Sequence, residues 1–216
     1  MFKDSAFDLL AGLEADNSKD WFDAHRDEVR KQLQEPFAAA LVAISEKLAA
    51  TDIPLSGGEK TMFRMNRDVR FSNDKSPYST HLSGLLTRSG SKGEADGVAY
   101  LNIDRHGGFV AVGWYKLTPK ELGPIRDRMV EHPEKLKAVV EALAAHRLAL
   151  SDEQSLTAMP RGYAEHADSD IAPYLKLQAL MVQRDLPKAV WKSGEAVDRV
   201  AELVTSCAPL LAFGRS

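Results

Sequence analysis

The reading of "GVAYLNIDRHGGFVAVGWY", residues 97–115, decides the fold. Val98, Tyr100 and Asn102 alternate with Ala99, Leu101 and Ile103, the period of two that marks a β-strand. Gly107-Gly108 sits where the chain must reverse, so the stretch reads as a β-hairpin. Both of its faces carry apolar side chains, and helices are expected to cover at least one of them. Upstream, "TMFRMN" (61–66) alternates loosely, as a strand would, and "HLSGLLTRSG" (81–90) supplies a second candidate strand. The sheet is therefore expected to be antiparallel and built mainly from residues 61–115.

Outside this region the period changes to that of helices. Ser5, with Asp8 at the third helical position, predicts one N-cap, and Asn17 with Asp20 predicts the next. Trp21, Phe22, His25, Val29 and Leu33 lie on one face of the second helix, so Trp21 and Phe22 are expected to be buried. Pro36 suits the start of a third helix with the stripe Phe37, Leu41, Ile44, Leu48. After the hairpin, Thr118, Pro119 and Glu121 form a capping box, Pro124 is expected to kink or restart its helix, and Pro133 opens another. In "LKLQALMVQRDLP" (175–187) a helix end is followed by a strand, and a last helix runs from about Gly194 to Cys207. Helices, then strands, then helices give an α+β class in place of alternating βαβ units. No linker divides the chain, which reads as a single domain over residues 1–216.

Composition narrows the function classes. The chain has 44% apolar and 27% charged residues and a net charge of −3, the balance of a soluble globular protein. That charge makes nucleic acid an unlikely partner and confines any basic surface to a local patch. No apolar run approaches the length of a membrane span, and the first residues lack a secretory core. The single cysteine, Cys207, excludes an internal disulfide and fits a reducing, cytoplasmic setting. Its place on the stripe Val197, Val200, Val204, Cys207 predicts core packing.

The chemistry concentrates in "FRMNRDVRFSNDKSPYSTH", residues 63–81. Arg64, Arg67, Arg70 and Lys75 face only Asp68 and Asp74, a local excess of two positive charges. Ser72, Asn73, Asp74 and Pro77 are turn formers. A turn exposes backbone N–H groups, and arginines beside it offer forked donors that match phosphate or carboxylate oxygens. Tyr78 and His81 add a donor and a titratable ring. One reading is thus an anion site. The other is a structural corner in which Arg and Asp neutralise one another. No phosphate loop, dinucleotide fingerprint, zinc-protease motif or nucleophile elbow is present. Asp74 directly precedes Lys75, so in a strand the two would point to opposite faces, unlike a metal-nuclease core. Asp104 and His106 make a two-ligand pair, which is too few for a metal site and reads as a hairpin tip. No cofactor or metal is expected.

"NSKDWF" (17–22), "RMNRDVRFSNDKSPYSTH" (64–81), "GWY" (113–115), "MPRGY" (159–163) and "YLKLQ" (174–178) follow one another as in the DUF2461 family of uncharacterised bacterial and fungal proteins, which the chain resembles over nearly its whole length. The resemblance implies one domain and a focal motif, and no reaction. It carries the motif onto Arg67, Asp68, Arg70, Phe71, Asp74, Lys75, Pro77, Tyr78 and His81, and further runs onto Arg161, Gly162, Tyr163 and Lys176. Relatives often carry lysine where this chain has Ser79 and Gln178, which thins the positive charge here. These residues are expected to converge with Trp114 and Tyr115 at the sheet's end. Arginine beside aromatic rings suits a small anionic or phosphorylated ligand with a flat part. A second possibility is an enzyme acting at phosphate, with Asp68 or His81 as general base and Arg67, Arg70 and Lys75 stabilising charge. A third is an interaction scaffold whose motif only holds the fold.

Overall fold

The computed structural model describes residues 2–93, 97–115 and 117–215. The protein is α+β, with helices before and after a four-stranded antiparallel sheet whose strands lie in chain order, β1 (Leu82–Leu86), β2 (Val98–Ile103), β3 (Phe109–Trp114) and β4 (Leu180–Asp185). Three of the four fall inside the expected 61–115, and the strand expected within 175–187 is β4. The described chain forms two compact units. The first comprises Met1–Glu94, Val98–Val110 and Arg184–Thr205, and the second Ala95–Gly97, Ala111–Gln183 and Ser206–Ser216. No helix among the described residues is long and apolar enough to cross a membrane.

The first unit begins with α1 (Asp4–Ala15), α2 (Lys19–Val29), a π-helical turn (Arg30–Gln34) and α3 (Glu35–Leu48). Ser5 does not cap α1. Its hydroxyl donates to Gln32 Oε1, and Lys3 holds the cap position without a side-chain bond. Ser18, one residue past the expected Asn17, caps α2 by accepting from the Trp21 N–H at 3.1 Å. Phe22 is buried as expected, but Trp21 is only half-buried and stacks on His25 with centroids 4.1 Å apart. Between α2 and α3 the helix never breaks. Pro36 lacks the N–H that would return to Gln32, and the hydrogen bonding ahead of it widens to the π register, with the Glu35 N–H reaching Arg30 O.

The buried stripe of α3, Phe37, Leu41, Ile44 and Leu48, packs on β1 at Gly84, where a Cβ would lie 2.9 Å from Leu41 Cδ1 and 3.1 Å from Phe37 Cε1. Each fully buried side chain of this kind contributes about 1.5–3 kcal/mol. Trp191, on α7 (Lys188–Ser193), closes the same core against Phe2 and Phe37. β1 pairs with β2 from Leu82 opposite Ile103 to Leu86 opposite Ala99. The turn after β2 forms at Gly107-Gly108 as expected. Gly108 has φ +115° and lies so close to Asn102 O that a Cβ would be 2.1 Å from it, a place only glycine occupies. Asp104 Oδ1 accepts from the His106 N–H at 2.7 Å, so the Asp104–His106 pair is the hairpin tip.

Residues 61–66 do not form a strand. They make isolated bridges instead, Met62 to Gly84 and Asn66 to Tyr78. The Arg67 N–H donates to Pro77 O at 2.9 Å and the Ser79 N–H to Met65 O at 2.7 Å. Pro77 has no N–H to return, so the ladder cannot continue past it.

The second unit holds α4 (Pro119–Glu131), α5 (Pro133–Ala145), α6 (Ala172–Leu175) and α9 (Ala208–Arg215). The Thr118–Glu121 capping box forms in both directions. Pro124 neither ends nor restarts α4, which runs unbroken through it. In this first part of the helix it forgoes a single bond, to Lys120 O. On α5, Leu136, Val139 and Leu143 are buried and Val140 is half-buried. Cys207 is fully buried, and α8 (Ala196–Ser206) stops just before it. Pro209 then prevents continuation in register, and the chain restarts as α9.

Gly84→Val forces a side chain into the α3–β1 contact and is expected to destabilise the protein by about 1–3 kcal/mol, measured as a lower denaturant midpoint at unchanged slope.

Candidate functional site

In the first unit the motif folds as a loop, residues 67–77, standing on a short two-bridge stem. Its base is held by Asn17. The side-chain amide donates to Tyr78 O at 2.9 Å and accepts from the Tyr78 N–H at 3.0 Å. The Tyr78 ring is buried and stacks on Phe22, with centroids 4.0 Å apart and planes 6° from parallel. This expected ligand contact is therefore a packing residue.

The charges of the loop largely find one another. Arg67 donates to Asp74 Oδ2 and to Ser76 O, the latter at 3.1 Å. Asp74 Oδ1 also accepts from the Ser76 N–H at 2.9 Å, and these hydrogen bonds, those from Ser76 foremost, hold its pKa down at about 2. Arg70 grips Asp68 with two donors, Nε at 3.0 Å and Nη2 at 2.7 Å, and lowers the Asp68 pKa. Lys75 Nζ donates to Val69 O at 3.0 Å. Arg70 and Lys75 were expected to be available to ligand, but in this structure both have intramolecular partners, although both are exposed. Phe71, between them, is 94% exposed. His81 is half-buried, and loss of hydration lowers its pKa. Ser79 Oγ lies 3.3 Å from its ring nitrogens.

Arg64 behaves differently. It is exposed, and among the described residues it makes no hydrogen bond or ion-pair contact, although its charge also helps to lower the Asp68 pKa. It lines a groove of about 530 Å³ together with Phe63, Met62, Lys92 and Glu59, opposite Arg30, Gln34, Glu35 and Ala38 of the π turn and α3. Lys92 Nζ donates to Met62 O at 2.8 Å and stands 5.9 Å from the centroid of the Phe63 ring. Phe63 is 43% exposed and leans on Tyr100 at 6.4 Å. Arg30 pairs loosely with Glu35 at 3.5 Å, both exposed. Three cations thus face two carboxylates around an aromatic ring, on a wall that contains a π turn, a feature frequent at functional sites. Arg30, Gln34 and Lys92 were not legible as site residues. Their sequence neighbours read only as helix and loop, and the π register that brings Arg30 and Gln34 to the groove has no sequence signature of its own.

The remaining expected residues belong to the second unit. Trp114 is 5% exposed and packs tightly against Gly97 and Gly214, leaving no ring face for a ligand. Tyr115 is 54% exposed, and Arg161 is exposed. The Tyr163 hydroxyl donates to Asp127 Oδ1 at 2.6 Å, and burial with this carboxylate pushes its pKa up to about 12. Lys176 is half-buried and lines a cavity of about 960 Å³. Its backbone is bracketed by Arg126, which sequence reasoning missed. This 6%-exposed guanidinium donates to Leu175 O at 2.8 Å and Leu177 O at 3.1 Å, and burial lowers its pKa. The signal was present in α4, where Arg126 falls on the inward stripe Leu122, Ile125, Met129.

An α+β protein with a π-lined cationic groove and a motif loop closed by its own ion pairs is thus defined. A family model described as "Conserved hypothetical protein (DUF2461)" matches residues 5–213, and the chain belongs to this family. No curated protein and no solved structure matches it.

Two outcomes are expected. The Asp74 pKa is lowered from 3.8 to about 2, so its contribution to stability is complete above the unfolded value and lost as pH falls through the folded one. The stability difference between the parent and Asp74→Asn should be constant above about pH 5 and vanish toward pH 2, measured by urea unfolding across pH. Arg126→Met removes the donor from two carbonyls in a buried setting and should cost about 1–3 kcal/mol in the same assay.

Proposed function

We propose that the first unit binds a small anionic ligand, phosphorylated and with a flat part, in the groove at the start of the motif. Arg64 is the observation that carries this reading, as an exposed guanidinium that makes no hydrogen bond or ion-pair contact among the described residues, on a concave wall it shares with Arg30 and Lys92. The anionic group would lie on Arg64 and Lys92, because guanidinium and ammonium donors match phosphate oxygens. The flat part would lie on Phe63, whose ring already carries a cation. Glu35 and Glu59 limit the excess charge, which favours a monophosphate over a polyanion.

In this reading the 67–77 loop is the support of the site. Arg67–Asp74 and Arg70–Asp68 are internal pairs, as the structural-corner alternative requires, on the loop carried by the stem from which Phe63 and Arg64 project. The Arg70–Asp68 pair is surface-exposed and screened by solvent, so Arg70 can turn to an incoming oxyanion at little cost. A cytoplasmic setting belongs to the same proposal and is supported by the lone, buried Cys207.

The test is a thermal melt of the full chain with inorganic phosphate or adenosine monophosphate. Both should raise the parent's Tm, since a ligand that binds only the native state stabilises by mass action, by about 2.7 kcal/mol at a hundredfold excess over Kd. Arg64→Gln should abolish the rise with both. Phe63→Ala should remove only the advantage of the nucleotide over phosphate. If neither anion shifts the parent, or Arg64→Gln responds as the parent does, the groove is not an anion site.

A further inference from the structure

We propose that the cavity of the second unit is a separate binding site, and that it takes a short apolar peptide with a free amino end and a free carboxyl end. The cavity measures about 960 Å³, at the upper end of the range for small-molecule sites. Its lining runs from the aliphatic Val140, Leu143 and Leu148 to Leu156 and Leu177 and includes the polar Ser155 and Ser169. Three charges also line it, the half-buried Lys176 and the exposed Asp152 and Asp168. Among the described residues none of the three makes an ion pair or a side-chain hydrogen bond.

The sign of the charges selects the ligand. A purely anionic amphiphile would meet Lys176 but also two carboxylates. A purely cationic one would meet the carboxylates but also a half-buried ammonium. A zwitterion with an apolar body satisfies both, its carboxylate on Lys176 and its ammonium on Asp152 or Asp168. A single amino acid would leave most of the cavity empty, whereas two or three apolar residues cover more of its lining and separate the two ends.

The fold fixes one end of this arrangement. Arg126 holds the carbonyls on both sides of Lys176, at 2.8 Å and 3.1 Å. The Leu156 N–H donates to Lys176 O at 2.9 Å, which ties the far wall to the same residue. Lys176 therefore leaves an anchored backbone, and only its side chain remains to be ordered when its ammonium takes a carboxylate.

Trileucine, N-acetyl-trileucine and trileucine amide, titrated calorimetrically into the full chain, test the proposal. Trileucine should bind, and either blocking group should weaken binding by about tenfold, the value of a charge-assisted hydrogen bond. Lys176→Met should bind trileucine and its amide equally while still discriminating against the acetylated form. Asp152→Asn with Asp168→Asn should show the reverse. The phosphate response of the first unit should be unchanged in all these variants, which separates failure here from failure of the anion groove. The proposal is overturned if trileucine does not bind the parent, if all three peptides bind alike, or if Lys176→Met, folded by circular dichroism, retains the parent's discrimination.

Discussion

The side-chain amide of Asn17 pairs with the backbone of Tyr78 in both directions, and the first unit depends on that two-way bond. It joins residues 61 positions apart, so it closes a long loop between the helical corner and the motif. The closure supplies what a strand ladder would otherwise supply. Pro77 ends the pairing toward the loop, and on the Tyr78 side the Ser79 N–H bond to Met65 O, Asn17 and the Phe22–Tyr78 stack hold the chain in place. An asparagine can do this because its amide donates and accepts at once, matching a backbone N–H and C=O together.

With the stem fixed, the electrostatics of the motif divide. Residues on the loop are close enough in sequence to neutralise one another, Arg67 with Asp74 and Arg70 with Asp68. Arg64 lies within the stem, between its two bridges, and lines the groove. A motif that reads as one cationic cluster is thus two things in space, a self-neutralised support and an open cation. The π turn completes the groove from the other side, and it exists because Pro36 interrupts the hydrogen-bonding register without ending the helix.

In the second unit the organising group is a buried arginine without a carboxylate among the described residues. Arg126 spends its charge on two carbonyl dipoles, a costly arrangement whose effect is to fix the segment around Lys176. Tyr163 and Asp127, joined by a short hydrogen bond, lie near enough for Tyr163 to act on the Arg126 charge. Two of the chain's quoted motifs, at 159–163 and 174–178, are held by α4, although nothing in either one mentions that helix.

The sequence by itself determined the local elements. Alternation marked β2, the glycine pair marked the turn that leads into β3, Thr118 with Glu121 marked the start of α4, and the stripe of α3 marked the core. These signals are carried by residues within one or two turns of each other, where periodicity and capping chemistry act. Tertiary structure decided which polar residue meets which. Asn17 reads as an N-cap from its neighbours, yet Ser18 takes that role and Asn17 answers Tyr78. The cations of 63–81 read as one site, yet their fate depends on which carboxylate the loop brings near. Lys92, Arg30 and Arg126 carried no local sign of their partners. Hydrogen bonds and ion pairs fall off within a few ångströms, and only the folded chain sets those distances between residues far apart in sequence.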